Sequence, residues 1–147
     1  MTDLTKTTLS FHPLEPLRLP LVNRLYKAHY PAGKAKKDEI IWIGETVTSI
    51  AAAVRFQEYD DFQFMTGMLV VPQLRQQGLG LALLNACHSQ LITKPCYCFA
   101  FSHLEPLYLK AQFSVIGDDQ LPLPLAHRIA RYRLGGKALT PMQYQAR

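Results

Sequence analysis

The residues whose types and spacing are best suited to chemistry lie between Met68 and Leu84, in M-L-V-V-P-Q-L-R-Q-Q-G-L-G-L-A-L-L. An apolar run stops at Pro72, then Arg75-Gln76-Gln77-Gly78-Leu79-Gly80 follows, and a helix-like apolar pattern begins. A strand, a glycine turn and a helix start in that order make a site for an anionic group. The first N–H groups of a helix have no partner inside it. With the helix dipole they attract phosphate. Glycine lets main chain approach the anion with no side chain in the way, and Arg75 adds positive charge at the mouth. The same residues also read as an ordinary strand-to-helix connection. The turn is neither a Walker loop nor a three-glycine dinucleotide fingerprint.

The stretch resembles the acyl-CoA-binding motif of the GCN5-related N-acetyltransferases, an apolar strand, often V-x-P, then [QR]-x-x-G-x-[GA] opening a helix. Val70, Val71 and Pro72 come first, Arg75 fills the first motif position, and Gly78 and Gly80 fill the glycine positions. Downstream, Leu107-Tyr108-Leu109-Lys110-Ala111-Gln112-Phe113 resembles the family's L-Y-x-K-x-G-F segment, and it too follows an apolar run, Cys96 to Phe101.

The resemblance implies an α/β fold: a central mixed, mostly antiparallel sheet with one parallel strand–helix–strand crossover, splayed at that strand pair, and helices on both faces. It implies acetyl-CoA as co-substrate, no metal, and direct transfer of the acetyl group to a primary amine in a ternary complex. By the same resemblance, main-chain groups of Leu69, Val70 and Val71 meet the thioester and pantetheine arm. Those of Arg75, Gln76, Gln77, Gly78, Leu79, Gly80 and Leu81 cradle the pyrophosphate, and Lys110 sits near cofactor phosphate. Tyr108 is the candidate acid toward the sulfur, with a packed core aromatic as the alternative. Two departures stand out. Where the family often has an asparagine upstream of the tyrosine, this chain has Phe101, Ser102 and His103. The usual glycine before Phe113 is Gln112, which implies a different turn after that helix.

Acyl transfer to an amine needs a neutral amine, a thioester held within about 3–3.5 Å of it and a donor for the developing oxyanion. It also needs a proton for the leaving thiolate, whose acid has a pKa near 8.5. A phenol, with a pKa near 10, is protonated at neutral pH and can donate. For the base, Glu58 lies with Asp60 and Asp61 in an acidic turn, and His103 and Glu105 follow the apolar strand. His103 has the right intrinsic pKa, near 6.5, and sits where ligands gather in parallel sheets. The sequence does not choose among them. A non-catalytic acyl-CoA sensor is the alternative function.

The elements that must position these groups follow from pattern. A first strand is predicted over Thr7 to Pro13, a helix over Leu19 to His29 and a basic loop over Tyr30 to Lys37, containing Pro31 and Gly33. Three antiparallel strands are predicted over Glu39 to Gly44, Ser49 to Gln57 and Phe62 to Val71. Gly67 inside the last of them marks a bulge. A helix from Gly78 to Leu91 would bury Leu79, Leu83, Leu84, Cys87 and Leu91, and Cys96 to Phe101 is apolar on both faces, like a central parallel strand. Leu125, Ile129 and Tyr132 mark a further helix that Gly135-Gly136 stops; a strand over Arg128 to Leu134 is the alternative. Lys137 to Gln145 reads as a last strand, which Pro141 places at an edge.

At 147 residues and 48% hydrophobic content the chain reads as one domain, residues 1–147, with a proper core. A net charge of +5 favours anionic ligands. Its clustered bases, Lys34, Lys36 and Lys37 and then Arg128, Arg131 and Arg133, do not interleave with aromatics on a flat strand face, which argues against nucleic acid. Cys87, Cys96 and Cys98 make no disulfide framework. Cys96 and Cys98 share a strand face and read as small buried hydrophobes, and the histidines show no metal-binding pattern. The polar stretch Met1 to Ser10 lacks a signal-peptide core and the apolar runs are too short to span a bilayer, so a cytoplasmic protein is expected. Its partner would be an amine, on a small molecule or a protein. The oligomeric state stays open, a homodimer included.

Overall fold

The computed structural model describes residues 8–30 and 33–145. Thr7, Pro31 and most of the polar N-terminal stretch lie outside the described residues. The strands are β1 (Ser10–Pro13), β2 (Ile40–Glu45), β3 (Ile50–Glu58), β4 (Gln63–Val70), β5 (Cys96–Phe101), β6 (Phe113–Val115) and β7 (Leu139–Tyr144). The helices are α1 (Leu19–His29), α2 (Leu79–Ala86), α3 (His88–Leu91), α4 (Glu105–Lys110) and α5 (Leu123–Leu134). One sheet runs β1-β2-β3-β4-β5-β7-β6. The β4–β5 pair is parallel and the other neighbours are antiparallel. No described helix is long and apolar enough to cross a membrane.

Strand alternation sends successive side chains to opposite faces, and helices cover both. Val54, Phe56, Met65, Cys96, Cys98 and Ala100 pack with Leu83 and Leu84 of α2 and Tyr108 of α4. On the other face Ile43, Ala53 and Leu69 meet Val22 and Tyr26 of α1. Phe64 and Tyr97 meet Leu125 and Ile129 of α5. Each fully buried leucine in such a layer contributes about 1.5–3 kcal/mol. The three cysteines are free and buried. Burial pushes the Cys87 thiol up to about 12 and Cys98 well above its ordinary range, so neither is a nucleophile.

Three expectations need correction, and one open alternative is decided. The helix expected from Gly78 to Leu91 breaks at Cys87, whose N–H is shared between the Leu83 and Leu84 carbonyls at 3.1 Å, yet its apolar stripe stays buried. The expected helix through Arg128 forms and the strand alternative falls, because Leu125 and Ile129 recur at helical spacing against the sheet, and Gly136 (φ 91°) follows its end. Pro141 does not mark an edge: β7 lies between β5 and β6. Its carbonyl accepts from Ile116 N (3.1 Å), so its missing N–H faces the β6 side, just past the end of that three-residue strand. Gln112 does not change the turn either. It adopts φ 73°, the left-handed conformation a glycine supplies after a helix, and its carbonyl accepts from Gln145 N at 2.7 Å.

At the β2 end, Glu45 accepts from Arg18 through both oxygens (3.1 and 2.6 Å) and pairs with His12 (2.6 Å). The Arg18 guanidinium, chiefly by hydrogen bonding, holds the Glu45 carboxyl below its usual range.

Two outcomes follow. Gln112→Gly relieves left-handed strain and should stabilise by about 1 kcal/mol in urea unfolding. Because the folded pKa of Glu45 is depressed, its contribution is present above the unfolded carboxylate value, near 4.3, and is lost as pH falls through the folded value. Arg18→Gln should therefore be less stable than wild type at pH 6, and the gap should close as the pH is lowered toward 3.

Candidate active site

The site begins with a fault in β4. Ala53 pairs with Leu69 but Arg55 pairs with Thr66, so Gly67 and Met68 together oppose Val54. This is the expected bulge. Gly67 sits at φ 70°, and a Cβ there would lie 2.7 Å from Arg55 Nε. The fully buried Tyr26 hydroxyl donates to the Gly67 carbonyl at 2.7 Å. Arg55 lies 5.3 Å over the Tyr26 ring, donates to the Lys34 carbonyl and ion-pairs with Glu39 at 3.4 Å. Burial drives the Tyr26 pKa far above its ordinary value, which keeps the phenol a donor.

The bulge turns β4 away from its parallel neighbour. Only Gln63↔Cys96 and Phe64↔Tyr97 pair across β4–β5 before the strands separate. Beyond that point the main chain of β4 faces two ways. Val71 N donates to Ala51 on β3 (2.9 Å), while the Val70 carbonyl, on the opposite edge, accepts from Arg75 Nε (2.9 Å). By alternation the N–H of Val70 points into the gap.

A cleft of about 620 Å³ opens there. It brings together Leu69, Val70, Arg75, Gln76, Gly78, Leu79, Gly80, Leu81, His103, Tyr108 and Lys110. Val71 and Gln77 do not line it, and Glu58 stands apart at the β3–β4 turn, paired with Lys94 at 3.0 Å. Phe99 and Tyr30 line the cleft without having been singled out. Their signal, an aromatic on a parallel strand and one at a helix end, is no different from that of a core residue.

In the turn, Gln76 (φ 66°) and Gly78 (φ 76°) are both left-handed. A Cβ on Gly78 would meet nothing within 4 Å. Ala82 N donates to Gly78 O at 3.0 Å, the first bond of α2, which leaves the N–H groups of Leu79, Gly80 and Leu81 without acceptors inside the helix. Gly80 has another role: its Cβ would sit 3.4 Å from Leu107 Cδ2, so it lets α2 pack closely on α4. The open, donor-rich cradle suits a diphosphate, and the apolar cleft beside it suits an extended thiol arm.

Tyr108 is 5% exposed, with its ring 5.8 Å from that of Phe113. Burial holds its pKa well above the ordinary value, so it stays protonated. His103 is exposed on the short turn Ser102–Leu104, stacked at 6.0 Å on Phe101. Among the described residues no group of histidine, cysteine or carboxylate side chains is arranged to hold a metal.

No protein-family model and no curated protein matches the chain. Solved structures do. The ribosomal-protein-S18-alanine N-acetyltransferase of Escherichia coli superposes with a TM-score of 0.64 over 93% of each chain, at 14% identity. This is the GCN5-related N-acetyltransferase fold. A Mycobacterium tuberculosis protein crystallised with CoA shares the fold at TM-score 0.70 and 12% identity, over 94% of this chain and 99% of its own. So does N-acetylglutamate synthase from Neisseria gonorrhoeae, crystallised with coenzyme A and N-acetyl-glutamate, at TM-score 0.65 and 15% identity. The match covers 95% of this chain but 35% of that longer protein. The seven-stranded sheet, its parallel pair and its splay are thus those of the acetyltransferase fold.

Gly67→Ala should cost about 1–3 kcal/mol in urea unfolding from its backbone conformation alone, and more if Arg55 has to move. A change below 0.5 kcal/mol would show that the bulge is not held as described.

Proposed function

We propose that the chain is an acetyl-CoA-dependent N-acetyltransferase acting on a primary amine. One observation carries the reading: a single cleft joins an open cradle of main-chain donors, a splayed strand edge and a buried, protonated tyrosine. The CoA found in structures that share the fold supports it. Arg75, Gln76 and Gly78 to Leu81 would hold the diphosphate, with Lys110 beside them. The edge of Val70 would pair with the amides of the thiol arm as an added strand does.

Bound there, acetyl-CoA supplies a thioester whose carbon–sulfur bond gives way to a carbon–nitrogen bond, the amine losing one proton and the sulfur gaining one. The chain does the rest. An N–H on the gap side of β4 offers a fixed donor where negative charge develops, and such a donor is worth about 10²–10³ in rate. Tyr108 holds the proton destined for sulfur. His103, exposed at the cleft, is the group best placed to take one from the amine. No cysteine takes part, so transfer is direct.

The test pairs a binding readout with a chemical one. CoA at millimolar concentration should raise the melting temperature, as mass action requires. Tyr108→Phe should keep CoA affinity but lose about 10²–10⁴ in kcat, measured by thiol release over a panel of amines. Gly78→Ala, which fills the cradle, should weaken CoA about tenfold or more, roughly 1.4 kcal/mol. Binding without turnover in wild type would mark a sensor, and no binding would overturn both readings.

A further inference from the structure

A second cavity, of about 300 Å³, lies on the α1 and α5 face of the sheet. It shares Tyr30, Thr66, Phe99 and Phe101 with the larger cleft, so the two meet across the splay. Its wall holds five basic side chains, Lys34, Lys36, Arg55, Arg128 and Lys137, and no acidic one. Glu39 is already engaged, by Arg55 at 3.4 Å and by Gln57 Nε2 at 2.7 Å.

Arg128 and Lys137 are different. Neither has a carboxylate partner among the described residues. Arg128 donates from Nε to the Tyr132 hydroxyl (2.8 Å) and from Nη1 to Gln57 Oε1 (2.6 Å). Its guanidinium lies 4.5 Å from the Phe64 ring centroid and 5.7 Å from that of Tyr132, and Lys137 Nζ lies 4.8 Å from the same Tyr132 centroid. Rings and neutral groups hold both cations in place without neutralising them. Two positioned, uncompensated charges beside aromatic walls are complementary to a small anion with an apolar body.

We propose that this cavity is the acceptor site and that the acceptor is a small amine bearing a carboxylate, such as a free amino acid. The inference rests on the acetyltransferase reading. Arg128 and Lys137 hold the carboxylate, and the rings of Phe99 and Phe101, common to both cavities, carry the body so that the amine reaches the gap. The volume is at the small end for ligand sites and suits one such molecule. The same cations disfavour the ammonium form of the bound amine. They therefore raise the fraction with a free lone pair, which eases the demand on a protein base.

The experiment measures thiol release from acetyl-CoA with L-methionine and L-phenylalanine, their amides, spermidine and phosphoethanolamine. Calorimetric titration of the same amines into the CoA-saturated protein reads acceptor binding without turnover. The free acids should exceed their amides at least about tenfold in kcat/KM. Arg128→Gln should remove most of that gap through KM. Lys137→Gln, at an exposed position that cannot endanger folding, should narrow it. CoA affinity should be unchanged in both variants.

Amides equal to the acids, a preference for spermidine or phosphoethanolamine, or wild-type discrimination in both variants would overturn the assignment. So would CoA binding with no binding or acetylation of either acid. Failure of CoA itself to bind would instead bring down the acetyltransferase reading, and the acceptor assignment with it.

Discussion

The hydrogen bond from the Tyr26 hydroxyl to the Gly67 carbonyl, under the Arg55 guanidinium, is the contact on which the rest of the structure depends. It is made where an uninterrupted strand would not allow it. The extra residue in β4 leaves a carbonyl aimed out of the ladder, and a buried carbonyl must find a donor or cost about 1–3 kcal/mol. A buried phenol from α1 supplies that donor. Arg55 then stacks on the phenol and ties it to Glu39 and to the loop before β2. The bulge that this contact anchors lies at the splay where both cavities open.

Function in this fold is thus made by a defect. Past Phe64 the edge of β4 has no partner strand, a condition proteins normally avoid. Here the exposed edge is flanked by the donor cradle of α2 on one side and by Tyr108 of α4 on the other. Helices on both faces keep the gap from collapsing, because α2 packs on α4 through Gly80 while α1 and α5 cover the opposite face. Each helix that lines the cleft is held by the same apolar alternation that builds the sheet.

The electrostatics divide along the same plane. Main-chain donors dominate on the α2 side, and side-chain cations gather on the α5 side. Burial, which strips water from a phenol, keeps Tyr26 and Tyr108 protonated. The two tyrosines then serve different ends, one anchoring the bulge and the other facing the cleft.

Local chemistry was legible in the chain itself. The glycine turn after Pro72, the helix over Leu19 to His29, the parallel strand Cys96 to Phe101 and the bulge at Gly67 all follow from short-range rules, because backbone conformation and side-chain period are local properties. What pairs with what is not local. The sequence alone could not show that Tyr26 reaches Gly67, that Glu58 turns to Lys94 away from the cleft, or that β7 inserts between β5 and β6 despite Pro141. Nor could it show that lysines after α1 and an arginine of α5 line one cavity. Those facts depend on distances between segments far apart in the chain, which only packing of the whole sheet sets.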